Sequence, residues 1–418
     1  MLEALRKSLR PEKVIAAVLA ALVFVLAADV SLYAGRKKKD EPAPKPKPNI
    51  LDLLDYSKIV WPNPPEITRI KYLDYFSAEK LQPKTKQKRK VSWMDRLAGV
   101  ATGETKADKP RFQLVTPYGV AVDSKGRLYV ADSKVLAVFI FDTQTKDVEL
   151  IKNGVQARFG WITGLAIDDT DRLFVADTKM RRVLVFDPQH KLEGSISGDM
   201  VSPGGLAIDN ENRFLYVPDA ELDQVLVYDA DPPYKLLRKM GTGGKKHTLT
   251  TPGDFARPTN VAVDKDGNLY VSDTLNDRVE IFDAEGNFIR TFGKPGDGPG
   301  YFARPKGIAI DGDGHVWVAD GVQSRVQVFT PEGQLLIWMG EPGTLPGQFS
   351  ALTGLTIDSQ NRVFTSEQFP GRVQMFQYIN DAQAIAERDR RLAEARKKKS
   401  GVPVKGVTAG KEPPPAAQ

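Results

Sequence analysis

The chain has 418 residues, 41% hydrophobic and 9% aromatic, which is enough apolar material for a sizeable core and excludes a mostly disordered protein. It has no cysteine and only three histidines, so disulfides, thiolate metal sites, c-type haem attachment and iron–sulfur ligation are excluded. The net charge of +6 is uneven, with +9 on residues 1–110, +4 on residues 379–418 and −7 between them, so the basic ends suit membrane phosphates and the acidic body does not suit a nucleic-acid backbone.

In chain order, the first element is hydrophobic. Val14 to Ala28 is an unbroken apolar or small run that extends to Ala34 if Asp29 and Ser31 lie near head groups. As a helix it spans about 31 Å, against a bilayer core of about 30 Å. Residues 1–35 are expected to be a single transmembrane anchor; the alternative is a signal sequence cleaved near Val25-Leu26-Ala27. The basic cluster Arg36 to Lys39, directly behind the span, favours the anchor. Counting basic flanks alone would place the body in the cytoplasm. Large folded domains, however, cross with little regard to charge, so the expectation is a single-pass cell-membrane protein with its body on the periplasmic or extracytoplasmic side.

Residues 36–66 read as a Pro/Lys-rich linker of polyproline type, and 67–78 as a strand. Residues 79–110 form a basic loop containing Lys84, Lys86, Lys88, Arg89 and Lys90, read as solvated or as touching lipid. From 111 to 378 the sequence repeats. Six segments share a short apolar strand closing in Asp, from Tyr118-Gly119-Val120-Ala121-Val122-Asp123 to Thr353-Gly354-Leu355-Thr356-Ile357-Asp358. Each Asp opens a turn such as Asp311-Gly312-Asp313-Gly314, where Asp accepts local backbone hydrogen bonds and Gly supplies positive φ. Second strands follow, such as Leu128-Tyr129-Val130-Ala131-Asp132 and Val316-Trp317-Val318-Ala319-Asp320. Third strands resemble Val279-Glu280-Ile281-Phe282 and fourth strands resemble Phe288 to Phe292. Four short strands per unit, six times over, predict an all-β six-bladed propeller. Residues 379–418 are expected to hold a short polar helix, Asn380 to Lys399, and a disordered tail.

These phrases resemble the NHL-repeat family, whose units carry Pro-x-Gly-Ile-Ala-Val-Asp, Leu-Tyr-Val-Ala-Asp-Thr and Arg-Val-x-Val-Phe; the resemblance is to a membrane-anchored bacterial-type member. It covers about 118–378, with Phe255-Ala256-Arg257-Pro258 and Phe302-Ala303-Arg304-Pro305 adding to it. Blade six departs, with Thr356 for Ala and Glu367 for Asp. The sixth unit lacks an outer strand, and Thr68 to Phe76 has the alternation to supply it. Such a closure would join the ends of the ring.

The resemblance implies a rigid display surface, and in one branch a zinc lyase that holds its metal with convergent histidines. Here His190, His247 and His315 fall in separate loops, and no metal or cofactor site is read from them. The turn Asp264-x-Asp266-Gly267-Asn268 opens like a calcium loop but lacks the closing bidentate Glu. The acids ending the second strands (Asp132, Asp177, Asp219, Asp273, Asp320, Glu367) are expected to act as caps or inter-blade ion-pair partners. The candidate binding surface is the rim of the central channel, with Tyr118, Thr163, Asn260, Lys306 and Thr353, and with Arg111, Arg158, Arg257 and Arg304 just outside it. No catalytic residue is singled out. The expected function is that of a non-enzymatic membrane-tethered scaffold or ligand-sensing module for a protein, a peptide or an anionic small ligand. It would be monomeric, would hold no cofactor and would not bind nucleic acid. The alternative is a metal-dependent propeller enzyme of lyase or lactonase type, with its site at the channel.

Overall fold

The computed structural model describes residues 54–78, 112–243 and 251–400. The expected membrane anchor, most of the linker, the basic loop, Arg111, His247 and the C-terminal tail lie outside these residues. Among the described residues, no helix is long and apolar enough to cross a membrane.

Six antiparallel sheets stand around one axis, each running from an inner first strand to an outer last one. Blade one is Pro117–Val122, Leu128–Asp132, Ala137–Phe141 and Val148–Lys152; blade two is Ile162–Ile167, Leu173–Asp177, Arg182–Phe186 and Leu192–Ser197. Blade three is Ala207–Asp209, Phe214–Asp219, Gln224–Asp229 and Leu236–Met240; blade four is Pro258–Val263, Leu269–Asp273, Arg278–Phe282 and Phe288–Phe292. Blade five is Pro305–Ile310, Val316–Asp320, Arg325–Phe329 and Leu335–Met339; blade six begins with Leu352–Ile357, Arg362–Glu367 and Arg372–Tyr378. The second and third strands are apolar almost throughout, rather than alternating, because a neighbouring blade covers each of their faces. The outer strands alternate, as in Leu335–Met339, because one face meets solvent. The core is therefore divided into clusters, each lying between adjacent blades.

Blade six is completed from far upstream. Ile70–Phe76 pairs antiparallel with Arg372–Tyr378, with Ile70 opposite Tyr378 and Phe76 opposite Val373. This is the closure for which the sequence pattern was read. Part of the stretch read as linker is also folded: Val60–Trp61 pairs with Ile70 and Lys71 as a fifth strand, and Tyr56 begins a 3-10 turn capped by Asp55. The reason is aromatic burial. Trp61 meets Phe376 edge-on at 5.8 Å between ring centroids, and Tyr56 meets Tyr72 at 5.1 Å, so the outer face of blade six holds a segment whose prolines read as extended spacer. The C-terminal helix, Asp381–Ser400, starts in a capping box in which Asn380 and Gln383 exchange hydrogen bonds. It is tied to the closing strand by Arg69–Asp381 and by Lys71–Glu387 at 3.7 Å.

Inner strands crowd the axis so closely that a side chain is excluded at some positions. A Cβ at Gly164 would stand 2.1 Å from the carbonyl oxygen of Gly204 in the next blade. We expect Gly164→Ala to destabilise the fold by about 1–3 kcal/mol, as overpacked cores do, read as a lower denaturant midpoint at unchanged slope. A wild-type midpoint would mean that the inner strands can spread.

Candidate functional site

The acids ending the second strands set the frame of the channel mouth. Asp132 is fully buried; its Oδ2 accepts from the backbone N–H groups of Val115 (2.6 Å) and Thr116 (3.0 Å), and its Oδ1 from those of Lys134 and Val135 (both 2.9 Å). Asp177, Asp219 and Asp320 repeat this arrangement. In blades four and six the acid accepts one such N–H and is joined by an arginine, Asp273 by Arg278 and Glu367 by Arg372. Each carboxylate thus clamps the loop leading into its inner strand to its own hairpin turn. These residues are internal caps, closed to ligand.

Each blade has one rim position at the entry to its inner strand; the acid bonds the N–H of that position in blades one, two, three and five, and the N–H of the residue before it, Ala256 or Ser350, in blades four and six. Thr116, Trp161, Ser202, Arg257, Arg304 and Ala351 occupy it in blades one to six. Two residues further on stand Tyr118, Thr163, Gly204, Thr259, Lys306 and Thr353. Nine of these twelve line a cavity of about 300 Å³ at the mouth of the channel; Thr116, Trp161 and Ala351 stand outside its lining. Seven of the nine residues singled out from sequence line it: Tyr118, Thr163, Asn260, Lys306, Thr353, Arg257 and Arg304. Arg158 does not. It lies four positions before Ile162, whereas Arg257 and Arg304 directly precede their strands, and its carbonyl receives the Arg182 guanidinium at 2.6 Å.

The hydroxyls at this mouth hold the blades to one another. Thr178 donates to the Pro203 carbonyl at 2.8 Å, with Thr163 bonded to Thr178 at 2.8 Å. Thr274 donates to Pro305 at 2.8 Å, and Thr353 to Pro117 at 3.3 Å across the ring closure. Asn260 packs against Gly205 and donates to Thr259 at 3.2 Å. Arg257, Arg304 and Lys306 are different. Among the described residues none of these three cations makes an ion pair, and no carboxylate, histidine or cysteine lines the cavity. Burial, and then the neighbouring Arg304 charge, hold the Lys306 ammonium below its ordinary pKa. At the opposite end of the channel a second depression is lined by Asp123, Asp168, Asp169, Asp171 and Asp358 together with Lys125 and Arg362, and there Asp123, Asp168 and Asp358 are paired with arginines.

The two described histidines, His190 and His315, lie in different blades and do not converge. His190 in blade two meets the Tyr129 hydroxyl at 2.9 Å, and burial lowers its pKa. His315 in blade five, with Asp311 and Asp313, forms a carboxylate–imidazole group, but the Asp311 carboxylate already accepts from the Asp313 and His315 N–H groups, His315 Nδ1 (3.0 Å) and Trp317 Nε1 (2.8 Å). In blades one, two and six an arginine fills the place of His315, as in Arg127 against Asp123, so the imidazole acts as a turn donor. Asp264 likewise accepts from Asp266, Asn268 and Tyr270 within a hairpin turn.

A strongly perturbed group lies within blade four. Glu280 is fully buried; its Oε2 accepts from Gly253 N–H at 3.1 Å and its Oε1 is 3.3 Å from Arg278. Arg278 also holds Asp273 at 2.8 Å, so one guanidinium stands between two buried carboxylates. Burial pushes Glu280 up to about 7. Neutral Gln327 and Gln374 take its place in blades five and six.

Residues 114–141, the first three strands of blade one, match the NHL repeat, and residues 249–316, blade four and the start of blade five, match a six-bladed β-propeller family. Together with the six sheets, this identifies an NHL-type six-bladed propeller fold. A probable peptidyl-α-hydroxyglycine α-amidating lyase of Caenorhabditis elegans is 36% identical over 94 residues, 22% of this chain, and the chain spans about a quarter (26%) of that relative. Among solved structures, a Bacteroides thetaiotaomicron protein of unknown function matches with a TM-score of 0.51 at 15% identity, over 65% of this chain and 71% of its own. A gluconolactonase from Xanthomonas campestris matches at 0.49 and 20%, over 64% and 87%. Neutral hydroxyls, an amide and three cations line the channel mouth.

Proposed function

We propose that this chain is a non-catalytic sensing or scaffold propeller that binds an anionic ligand at the cationic mouth of its channel. The reading rests on one observation: Arg257, Arg304 and Lys306 converge on a concavity that contains no acid. Asp277 lies within electrostatic reach of Arg304 and Asp320 of Lys306, but neither enters the cavity lining; cations brought together there repel one another, and a bound anion relieves that repulsion while forming charge-assisted hydrogen bonds. Support for the cellular setting comes from sequence. The apolar run within residues 1–35 and the basic clusters beside it suit a single-pass anchor at anionic lipid; the propeller is assigned to the periplasmic or extracytoplasmic side, against the count of basic flanks, because large folded domains cross with little regard to charge. The acidic body suits a propeller that does not bind nucleic acid, and the reading takes it as monomeric.

Calorimetric titration of the full-length protein with citrate tests the binding reading. Wild type should release heat with a defined stoichiometry, and the Arg304→Gln/Lys306→Met variant should bind at least about tenfold more weakly, since each lost charged hydrogen bond is worth about 1.5–3 kcal/mol. Equal binding by the variant would place the anion elsewhere.

A further inference from the structure

Neighbouring blades follow one another around the ring, so blade one faces blade four across the axis and blade two faces blade five. The rim position of blade five carries Arg304, and in blade two, on the far side of the ring, the same position carries Trp161, which stands just outside the cavity lining. Two residues further along, Lys306 of blade five lines the cavity, and on the opposite half Tyr118 of blade one does so. Tyr118 and Trp161 meet edge-on with ring centroids 6.3 Å apart, so the two rings form one aromatic shelf. Trp161 keeps 46% of its surface exposed although its backbone is held, N–H to Asp177 at 2.9 Å and carbonyl to Thr178 N–H at 2.9 Å. A core role would bury the indole; here a rigid loop holds it out at the rim.

We infer that the ligand of this mouth is a small anion with a flat apolar body, an aryl carboxylate or aryl phosphate. Its acid group lies toward Arg304 and Lys306, and its ring lies on the shelf of Tyr118 and Trp161. The inference rests on the anion-binding reading above and adds the second half of the ligand. A cavity of about 300 Å³ is the size of a small-molecule site and takes one ring with one acid group. Two walls of opposite chemistry orient such a molecule in one sense only. A simple anion would leave the aromatic wall in water, and a neutral ring would leave the cations unpaired.

Three probes separate the halves: phenylacetate, phenylacetamide and acetate, titrated calorimetrically against the full-length protein. Phenylacetate should bind at least about tenfold more tightly than either of the others, as expected when charge-assisted bonding and ring stacking combine. Trp161→Ser and Tyr118→Leu should reduce phenylacetate to the level of acetate while leaving acetate unchanged, and Tyr118→Phe should retain wild-type affinity. Equal binding of acetate and phenylacetate by wild type would overturn the aromatic half and leave the anion site standing. Phenylacetamide binding as tightly as phenylacetate, or no binding of any of the three, would overturn both readings. The wild-type comparison decides the question even if a rim variant fails to fold.

Discussion

Phe376→Ala should be among the most damaging single substitutions in the propeller, with a loss of about 3–5 kcal/mol, the usual range for emptying a buried phenylalanine site. The ring is fully buried in the third strand of blade six, and three other aromatic rings surround it: Tyr72 of the closing strand at 5.4 Å, Trp61 of the fifth strand at 5.8 Å and Phe349 at 6.0 Å. Two of those three arrive from the segment before the ring, so the cavity would open in the seam that holds the propeller shut. The seam also excludes water from an edge that would otherwise present unpaired backbone groups. Chemical denaturation measures the loss, with Leu336→Ala as the control. Leu336 is 51% exposed on the outer strand of blade five and should change stability by less than about 0.5 kcal/mol. If Phe376→Ala were no more costly than Leu336→Ala, this contact would not hold the seam.

The second large effect concerns charge. Glu280 has an ordinary value of 4.5 and a folded value of about 7, raised mainly by burial. Below the ordinary value both the folded and unfolded carboxyls carry a proton, and the residue imposes no penalty. As pH rises, the unfolded chain releases its proton first, so the stability present at acid pH is lost across the window from 4.5 to about 7 and stays lost above it. At about 1.4 kcal/mol per unit the shift corresponds to roughly 3 kcal/mol. Glu280→Gln, which installs the residue found in blades five and six, should therefore stabilise the protein at pH 8 by up to about that amount, and by little at pH 4, in denaturant unfolding at both pH values. A gain of the same size at both would show that packing, rather than ionisation, separates the two side chains.

Much of this architecture is legible in the sequence because the repeat writes the same physical requirement six times. Each inner strand ends in an Asp that caps its own turn, and each middle strand must be apolar on both faces, so the pattern exceeds what any single strand would reveal. The closing strand could be found because Thr68 to Phe76 alternates in a region otherwise polar and proline-rich. The fifth strand was missed because Trp61-Pro62-Asn63-Pro64-Pro65 carries the composition of a spacer; only the aromatic surface of blade six gives Tyr56 and Trp61 somewhere to pack.

The mouth was partly legible for a similar reason. Arg257 and Arg304 sit in matching Phe-Ala-Arg-Pro phrases, which fix their register against the inner strands, whereas Arg158 is followed by Phe159 instead of proline, the sign that it is out of register. The threonines were read as ligand-facing because sequence does not show which carbonyl of the next blade lies within reach. Trp161 was missed altogether. Lining up the residue before each inner strand would have found it, since a tryptophan at a position that elsewhere holds Thr, Ser, Arg or Ala is not required by the fold.

The pairing of Ile70–Phe76 with Arg372–Tyr378 sets an order of events as the chain is made. Ile70–Phe76 emerges from the ribosome long before Arg372–Tyr378, and through that interval its edge toward blade six has no partner. Blades one to five can each form from contacts local in sequence, but the last step joins residues separated by almost the full length of the ring, and such distant contacts form slowly. A nascent or truncated chain that stops short of Tyr378 is left with two open sheet margins facing each other, which are sticky surfaces for a neighbouring copy or a ready target for a protease. The architecture therefore confers its resistance late and all at once, when the final blade captures a strand made before blade one.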